Sequence, residues 1–184
     1  MEKYKQYIGF HGTNIVSATK ILKENNFHPS TGDDEWLGKG IYFFAYPEDA
    51  EWWCSSYKRL KKHESVILRV EIEAESVIDL LGSKADIDAF KRFCDVVKDK
   101  CPRLPNGEKR SNYMSLAIKI LMKDKDYRRD MIIGGFEQNR HLWYREGTCE
   151  RRKFPLVVAQ VQYCIYNHDC IKSISCYRRG GGES

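Results

Sequence analysis

Two short segments hold the residues best suited to chemistry. In Phe10-His11-Gly12-Thr13 and Gly38-Lys39-Gly40-Ile41-Tyr42-Phe43-Phe44, a polar ring residue sits inside an apolar strand pattern beside glycine. A glycine lets the backbone amide and carbonyl approach a ligand closely. Alone, a strand histidine is ordinarily a core residue and a strand tyrosine an ordinary aromatic. Gly12-Thr13 changes the weight of His11, because it adds an accessible backbone for a planar amide and a hydroxyl. Tyr42 alternates with Ile41 and Phe43 and so faces the other way, where its ring can stack on a planar ligand. Only 26 residues lie between Gly12 and Lys39, so the two segments can occupy neighbouring strands. A third segment, Gln160-Val161-Gln162-Tyr163-Cys164-Ile165-Tyr166-Asn167, places two amides on one face of an apolar strand. Unpaired buried amides are costly, so Gln160 and Gln162 need partners, in neighbouring loops or in a ligand.

The periodicities around these residues supply the elements that position them. Tyr7 to His11 predicts a strand, and Asn14 caps a helix from Ile15 to about Asn25 with Ile15, Ala18 and Leu22 on one face. Residues 29–34 read as a loop. After the strand Gly40–Ala45, Pro47-Glu48-Asp49 opens a helix whose buried stripe is Ala50, Trp53, Cys54 and Tyr57. Val66, Leu68, Val70 and Ile72 alternate along the clearest strand. Two helical stripes follow, Ile87, Phe90, Cys94 and Val97, then Met114, Ala117, Ile118 and Leu121 capped by Ser111; a loop with Pro102, Pro105 and Gly107 lies between them. Met131–Phe136 predicts a short strand, 137–153 a long loop or hairpin, Leu156–Tyr166 a long strand, 167–169 a turn and Cys170–Tyr177 a last strand. This order predicts an α+β domain on a mixed, mainly antiparallel sheet. It excludes a doubly wound nucleotide fold: the glycines near Lys39 do not spell a Walker A loop, and no G-x-G-x-x-G opens a helix.

Composition sets outer bounds. At 184 residues the chain predicts a single domain over 1–179, with 84–153 as an elaboration and 180–184 as a flexible tail. No apolar run approaches the roughly 20 residues that span a bilayer, and the N-terminus carries no signal-peptide pattern. Seven cysteines, an odd number without a Cys-x-x-Cys pair, predict free thiols in a reducing cytoplasm. Cys164, Cys170 and Cys176 with His168 match no common zinc spacing, so no metal is expected. The net charge of +5 is clustered at Lys58, Arg59, Lys61 and Lys62, at Arg128 and Arg129, at Arg151, Arg152 and Lys153, and at Arg178 and Arg179. Such clusters are solvated surface or a surface for phosphate-rich partners.

Taken in order, the motifs resemble the NAD-gripping core of the ADP-ribosyltransferases of the poly(ADP-ribose) polymerase type. Phe10-His11-Gly12-Thr13 resembles the first family motif, and Trp36-Leu37-Gly38-Lys39-Gly40-Ile41-Tyr42-Phe43 the second. Residues 48–54 resemble the helix that follows, and Val66–Val70 the next core strand. The likeness covers 7–73 well and 156–177 in outline. It implies an ADP-ribosyltransferase-like sheet with a helical insertion and NAD as substrate. It further implies a histidine on the adenosine ribose, a glycine backbone holding the nicotinamide amide, and a tyrosine stacked on nicotinamide. His11, Gly12, Thr13, Gly40, Tyr42 and Gln162 are the implied cofactor-binding set, with His11, Tyr42 and Gln162 catalytic.

The third family position departs from the pattern, because Gln162 stands where the family has glutamate. A carboxylate stabilises the oxocarbenium-like state formed when nicotinamide leaves and binds a ribose hydroxyl; an amide does only the second. Polymer elongation is therefore disfavoured, and transfer of a single unit is the expected activity. Small toxin-type bacterial relatives with a similar Gln-x-Gln strand imply that Gln162 is native; an engineered Glu→Gln exchange is the alternative. Glu137 is the reserve acid. The expected function is a mono-ADP-ribosyltransferase acting on a protein or nucleic acid (RNA or DNA), in a toxin or defence role, with an antitoxin or chaperone as partner and no membrane. Gln160, Arg151, Arg152 and Lys153 are the expected acceptor-side residues. The alternatives are a non-catalytic NAD-binding or interaction module and an NAD glycohydrolase.

Overall fold

A computed structural model of the protein describes residues 3–30, 35–57, 60–61, 64–101, 113–123, 129–145 and 151–179. Its centre is a seven-stranded sheet. Strand β1 (Lys5–Asn14) runs into helix α1 (Ile15–Glu24), β2 (Ile41–Phe44) into α2 (Pro47–Trp52), and α2 ends in a wider π turn over Trp53–Tyr57. Then come β3 (Ser65–Ala74), β4 (Val77–Asp79), α3 (Lys84–Lys100), α4 (Tyr113–Lys123), β5 (Met131–Arg145), β6 (Arg151–Ile165) and β7 (Ile171–Arg179). The strand order is β4-β5-β6-β2-β1-β3-β7, and every pair is antiparallel except β4–β5. The chain is thus an α+β protein on a mostly antiparallel sheet. None of the described helices is long and apolar enough to cross a membrane.

Alternation divides the core between the two faces of the sheet. Ile41, Phe43, Val66, Leu68, Val70, Ile72, Ile133 and Ile165 form one face and bury Ala18 of α1 and Phe27. The opposite face carries Phe10, Phe44 and Ile67 against Ala50 and Cys54, and Ile132 and Cys164 against α3 and α4 through Phe90, Val97, Ala117 and Ile118. Asn14 Oδ1 accepts from Ser17 N–H at the start of α1, and Asn25 closes the helix at φ 47. In α1 the structure departs from the expected stripe, since Ile15 is 47% exposed while Ala18 is buried.

Of the two readings for 137–153, the hairpin holds: β5 continues to Arg145 and pairs with β6 down to Arg145↔Arg151, which makes both strands longer than expected. β4 carries too few residues to show a period, and it docks in parallel on Met131–Ile133. The turn at 167–169 is present, with Asn167 donating to Asp130 Oδ1 at 2.9 Å and accepting from Asp169 N–H. The 102–112 loop with Ser111, residues 31–34, Lys58, Arg59, Lys62, Arg128, Cys149 and the tail 180–184 lie outside the described residues. Among the described residues, Cys54, Cys94, Cys101, Cys164, Cys170 and Cys176 are free thiols, and no group of three His, Cys, Asp or Glu side chains could hold a metal.

Candidate functional site

The cleft begins where β1 and β2 part. They share one register pair, Phe10↔Phe44, and beyond it Gly12 and Thr13 diverge from Ile41 and Tyr42. β6 continues the floor on the other side of β2, with Phe44↔Gln162 and Tyr42↔Cys164 in register. Paired residues share a face, so Gln160, Gln162, Tyr42 and Phe44 all lie on the side covered by α2. The resulting cavity of about 570 Å³ is lined by His11, Gly12, Thr13, Gly40, Tyr42, Gln160 and Gln162, together with His28, Ser30, Glu35, Trp36, Ile41, Phe44, Trp52 and Trp53. Its volume falls within the ~300–1,000 Å³ of small-molecule sites. Every cofactor-binding residue expected from the sequence meets here. Arg151, Arg152 and Lys153 start β6 at the far end of the hairpin, and their side chains, like that of Glu137, lie outside the described residues.

Each expected residue also has a partner within the protein. His11 Nδ1 lies 3.0 Å from the Tyr42 carbonyl oxygen, and its ring packs edge-on against Phe27 and Phe43. A carbonyl only accepts, so Nδ1 carries hydrogen. The Tyr42 hydroxyl donates to Gly38 O at 2.7 Å and accepts from Leu37 N–H at 3.1 Å. Burial above all pushes its pKa far up, followed by the neighbouring Cys164 and Glu35, so the phenol stays protonated. Tyr166 donates to Leu37 O at 2.5 Å, and the buried Cys164 thiol, pushed up to about 12 chiefly by desolvation, lies 3.8 Å from that same oxygen. The 36–40 turn is therefore pinned to β2 and β6 by three side chains. Gly40 is small for a packing reason as well, because a Cβ there would sit 2.5 Å from Cys164 Sγ.

The two glutamines divide. Gln160 is 1% exposed, and its amide donates to Asp49 Oδ1 of α2 at 3.0 Å, which ties α2 to the sheet. That bond gives Gln160 a structural task within the protein. Asp49→Ala should strip the amide of this acceptor and cost about 1–3 kcal/mol, read as a lower urea midpoint with an unchanged slope. Gln162 is 9% exposed, and its Oε1 accepts from Trp36 Nε1 at 2.9 Å. The Trp36 ring lies across Gly134, where any side chain would collide with it. Trp36 and Asp49 are 126 and 111 residues from their glutamine partners, and no local pattern in the sequence links them. Glu35, Trp52 and Trp53 also line the cleft without having been expected there.

The chain is similar to an uncharacterized protein of Methanocaldococcus jannaschii, with 26% identity over 199 residues, covering 96% of this chain and 90% of that one. No family model matches the chain. No solved structure matches it either.

Proposed function

We propose that this protein is an NAD-dependent mono-ADP-ribosyltransferase of the ADP-ribosyltransferase-like fold. One observation carries the reading: His11, Gly12 and Thr13 of β1, Tyr42 of β2 and Gln162 of β6 line a single cleft, in the strand-by-strand roles that the resemblance implies. NAD would lie across the gap between β1 and β2. The Gly12 backbone would hold the nicotinamide amide and the Tyr42 ring would stack on the pyridine face. His11 Nε2 would accept from a ribose hydroxyl. Gln162 would hold the second ribose through its amide, oriented by Trp36. Nicotinamide leaves with the electrons of its bond to ribose, and the ribose carbon passes to a nucleophile of the acceptor.

The acceptor is a macromolecule, protein or nucleic acid, and the basic clusters favour nucleic acid. A toxin or defence role in the cytoplasm, held in check by an antitoxin or chaperone, completes the proposal. A non-catalytic NAD-binding module is the second reading, favoured by the structural partners that Trp36 and Asp49 give to the two amides. Incubation with labelled NAD and separate protein and RNA pools separates the cases. Labelled acceptor supports the transferase, free ADP-ribose alone a glycohydrolase, and bound but intact NAD the module.

Two further outcomes are expected. Tyr42→Ala should weaken NAD binding about tenfold through loss of roughly 1–2 kcal/mol of ring contact. Tyr42→Phe should keep most of that affinity but lower stability, because Leu37 N–H and Gly38 O lose their partner. Equal NAD affinity in wild type and Tyr42→Ala removes the ring from the site. Reversing the charges of Arg151, Arg152 and Lys153 should leave NAD affinity intact and impair acceptor modification. With a nucleic-acid acceptor, binding should also fall steeply with salt. Indifference to both charge and salt argues for a protein or small-molecule acceptor.

A further inference from the structure

The cleft has an amide at its third catalytic position, yet transfer to a macromolecule needs a group that accepts a proton. The acceptor nucleophile enters as N–H or O–H and leaves its proton behind when its lone pair bonds the ribose carbon. An amide side chain is not a base at neutral pH. Among the described residues that line the cleft, one carries a carboxylate, Glu35. It is held from two sides. Its backbone carbonyl accepts from Gly38 N–H at 2.9 Å, and its Oε1 accepts from the Ser30 hydroxyl. Ser30 is itself fixed, since its N–H donates to Gly40 O at 2.8 Å. Glu35 directly precedes Trp36, the residue bonded to Gln162, so one anchored turn carries the carboxylate and holds the amide of β6. Glu35 and Tyr42, whose ring is proposed to stack on nicotinamide, line the same cavity.

We propose that Glu35 is the general base of the transfer. The assignment rests on the transferase reading above. The bond between ribose and nicotinamide breaks with its electron pair going to the ring nitrogen, which discharges the pyridinium. The acceptor lone pair bonds the ribose carbon, and its proton passes to a Glu35 carboxylate oxygen and on to water. NAD and the acceptor supply every atom, and no redox change occurs. Ser30 is a positioning residue in this scheme, holding one carboxylate oxygen. The negative charge that Gln162 lacks is then supplied by Glu35, from the turn before β2.

The test compares wild type, Glu35→Gln, Glu35→Ala and Ser30→Ala, using labelled NAD with total RNA and a total protein extract as acceptor pools. NAD affinity by calorimetry and thermal midpoint are measured on the same preparations. A general base contributes about 10²–10⁴-fold, so Glu35→Gln and Glu35→Ala should lose at least about 100-fold in single-turnover transfer, with NAD affinity within about threefold of wild type. Added formate or azide should restore part of the transfer to Glu35→Ala and none to Glu35→Gln, whose amide still fills the space. Ser30→Ala should lose less than either. Wild-type transfer rates in Glu35→Gln overturn the assignment alone. So does a loss that tracks lowered NAD affinity or thermal midpoint and is untouched by formate, because Glu35 is then only a clamp for the loop. A wild-type protein that binds NAD but labels neither pool, nor DNA offered in the same way, overturns the transferase reading and the assignment together.

Discussion

Gln162→Ala is expected to reduce ADP-ribosyl transfer at least about 100-fold while weakening NAD binding far less. The size follows from the usual cost of deleting one preorganised polar group that acts on the transition state, about 10²–10³-fold. The split between rate and affinity follows from when the group acts, since an interaction realised only in the transition state lowers turnover without lowering ground-state binding. The amide is well prepared for such a task, being nearly buried with its carbonyl end fixed by the Trp36 indole. Gln162→Glu is the sharper companion. A carboxylate there still accepts from Trp36 N–H, so the local geometry should survive and NAD cleavage should rise. Cleavage lost with binding intact would show instead that the amide itself is required. Equal transfer by wild type and Gln162→Ala would move the catalytic position elsewhere.

The largest structural effect is expected at Gly12. A Cβ added there would stand 2.5 Å from the Ala50 carbonyl oxygen and 2.7 Å from Cys54 Sγ, so α2 must lift off β1 to admit even alanine. Overpacking of a tight core costs about 1–3 kcal/mol and more where backbone is the obstacle. Gly12→Ala should therefore lose about 3 kcal/mol in urea unfolding. It should also lose NAD binding, because Trp52 and Trp53, which follow Ala50, line the same cleft. Gly12→Ala with Cys54→Ala should recover only part of the stability, since the Ala50 carbonyl remains in the way. Wild-type stability and NAD affinity in Gly12→Ala would mean that α2 does not press on this glycine.

The parts of the fold legible beforehand are those governed by local rules. Asn14 at the start of α1, Pro47 at the start of α2 and the alternation of β3 each follow from a few adjacent side chains. The β5–β6 hairpin was legible only as one of two readings, because 137–153 mixes charges and aromatics with no period, and pairing across the sheet rather than alternation extends the strands. At the site, glycine next to a ring residue marked β1 and β2, and the two amides marked β6. What stayed hidden depends on contact between distant segments. Asp49 looked like a first-turn acid of α2, yet it is buried against Gln160. Glu35 and Trp36 follow a stretch of polar composition that gives no sign that Trp36 bonds a glutamine of β6. Two uses of glycine were also indistinguishable in sequence, since Gly12 and Gly40 both make room for protein atoms as well as for any ligand.

The short strand β2 has consequences for how this protein is made. One edge faces β1, already synthesised, while the other waits for β6, whose Gln162 pairs with Phe44 across 117 intervening residues. At elongation rates of about 5–20 residues per second, that delay is roughly 6–24 s. Throughout it the nascent chain has half a cleft and an open strand edge. A fragment that stops before β6 thus gains an aggregation template rather than partial function. The same arrangement times the assembly of the proposed site: a ribosome-bound precursor short of Gln162 lacks the floor of the cleft, so any chemistry proposed for it waits for β6.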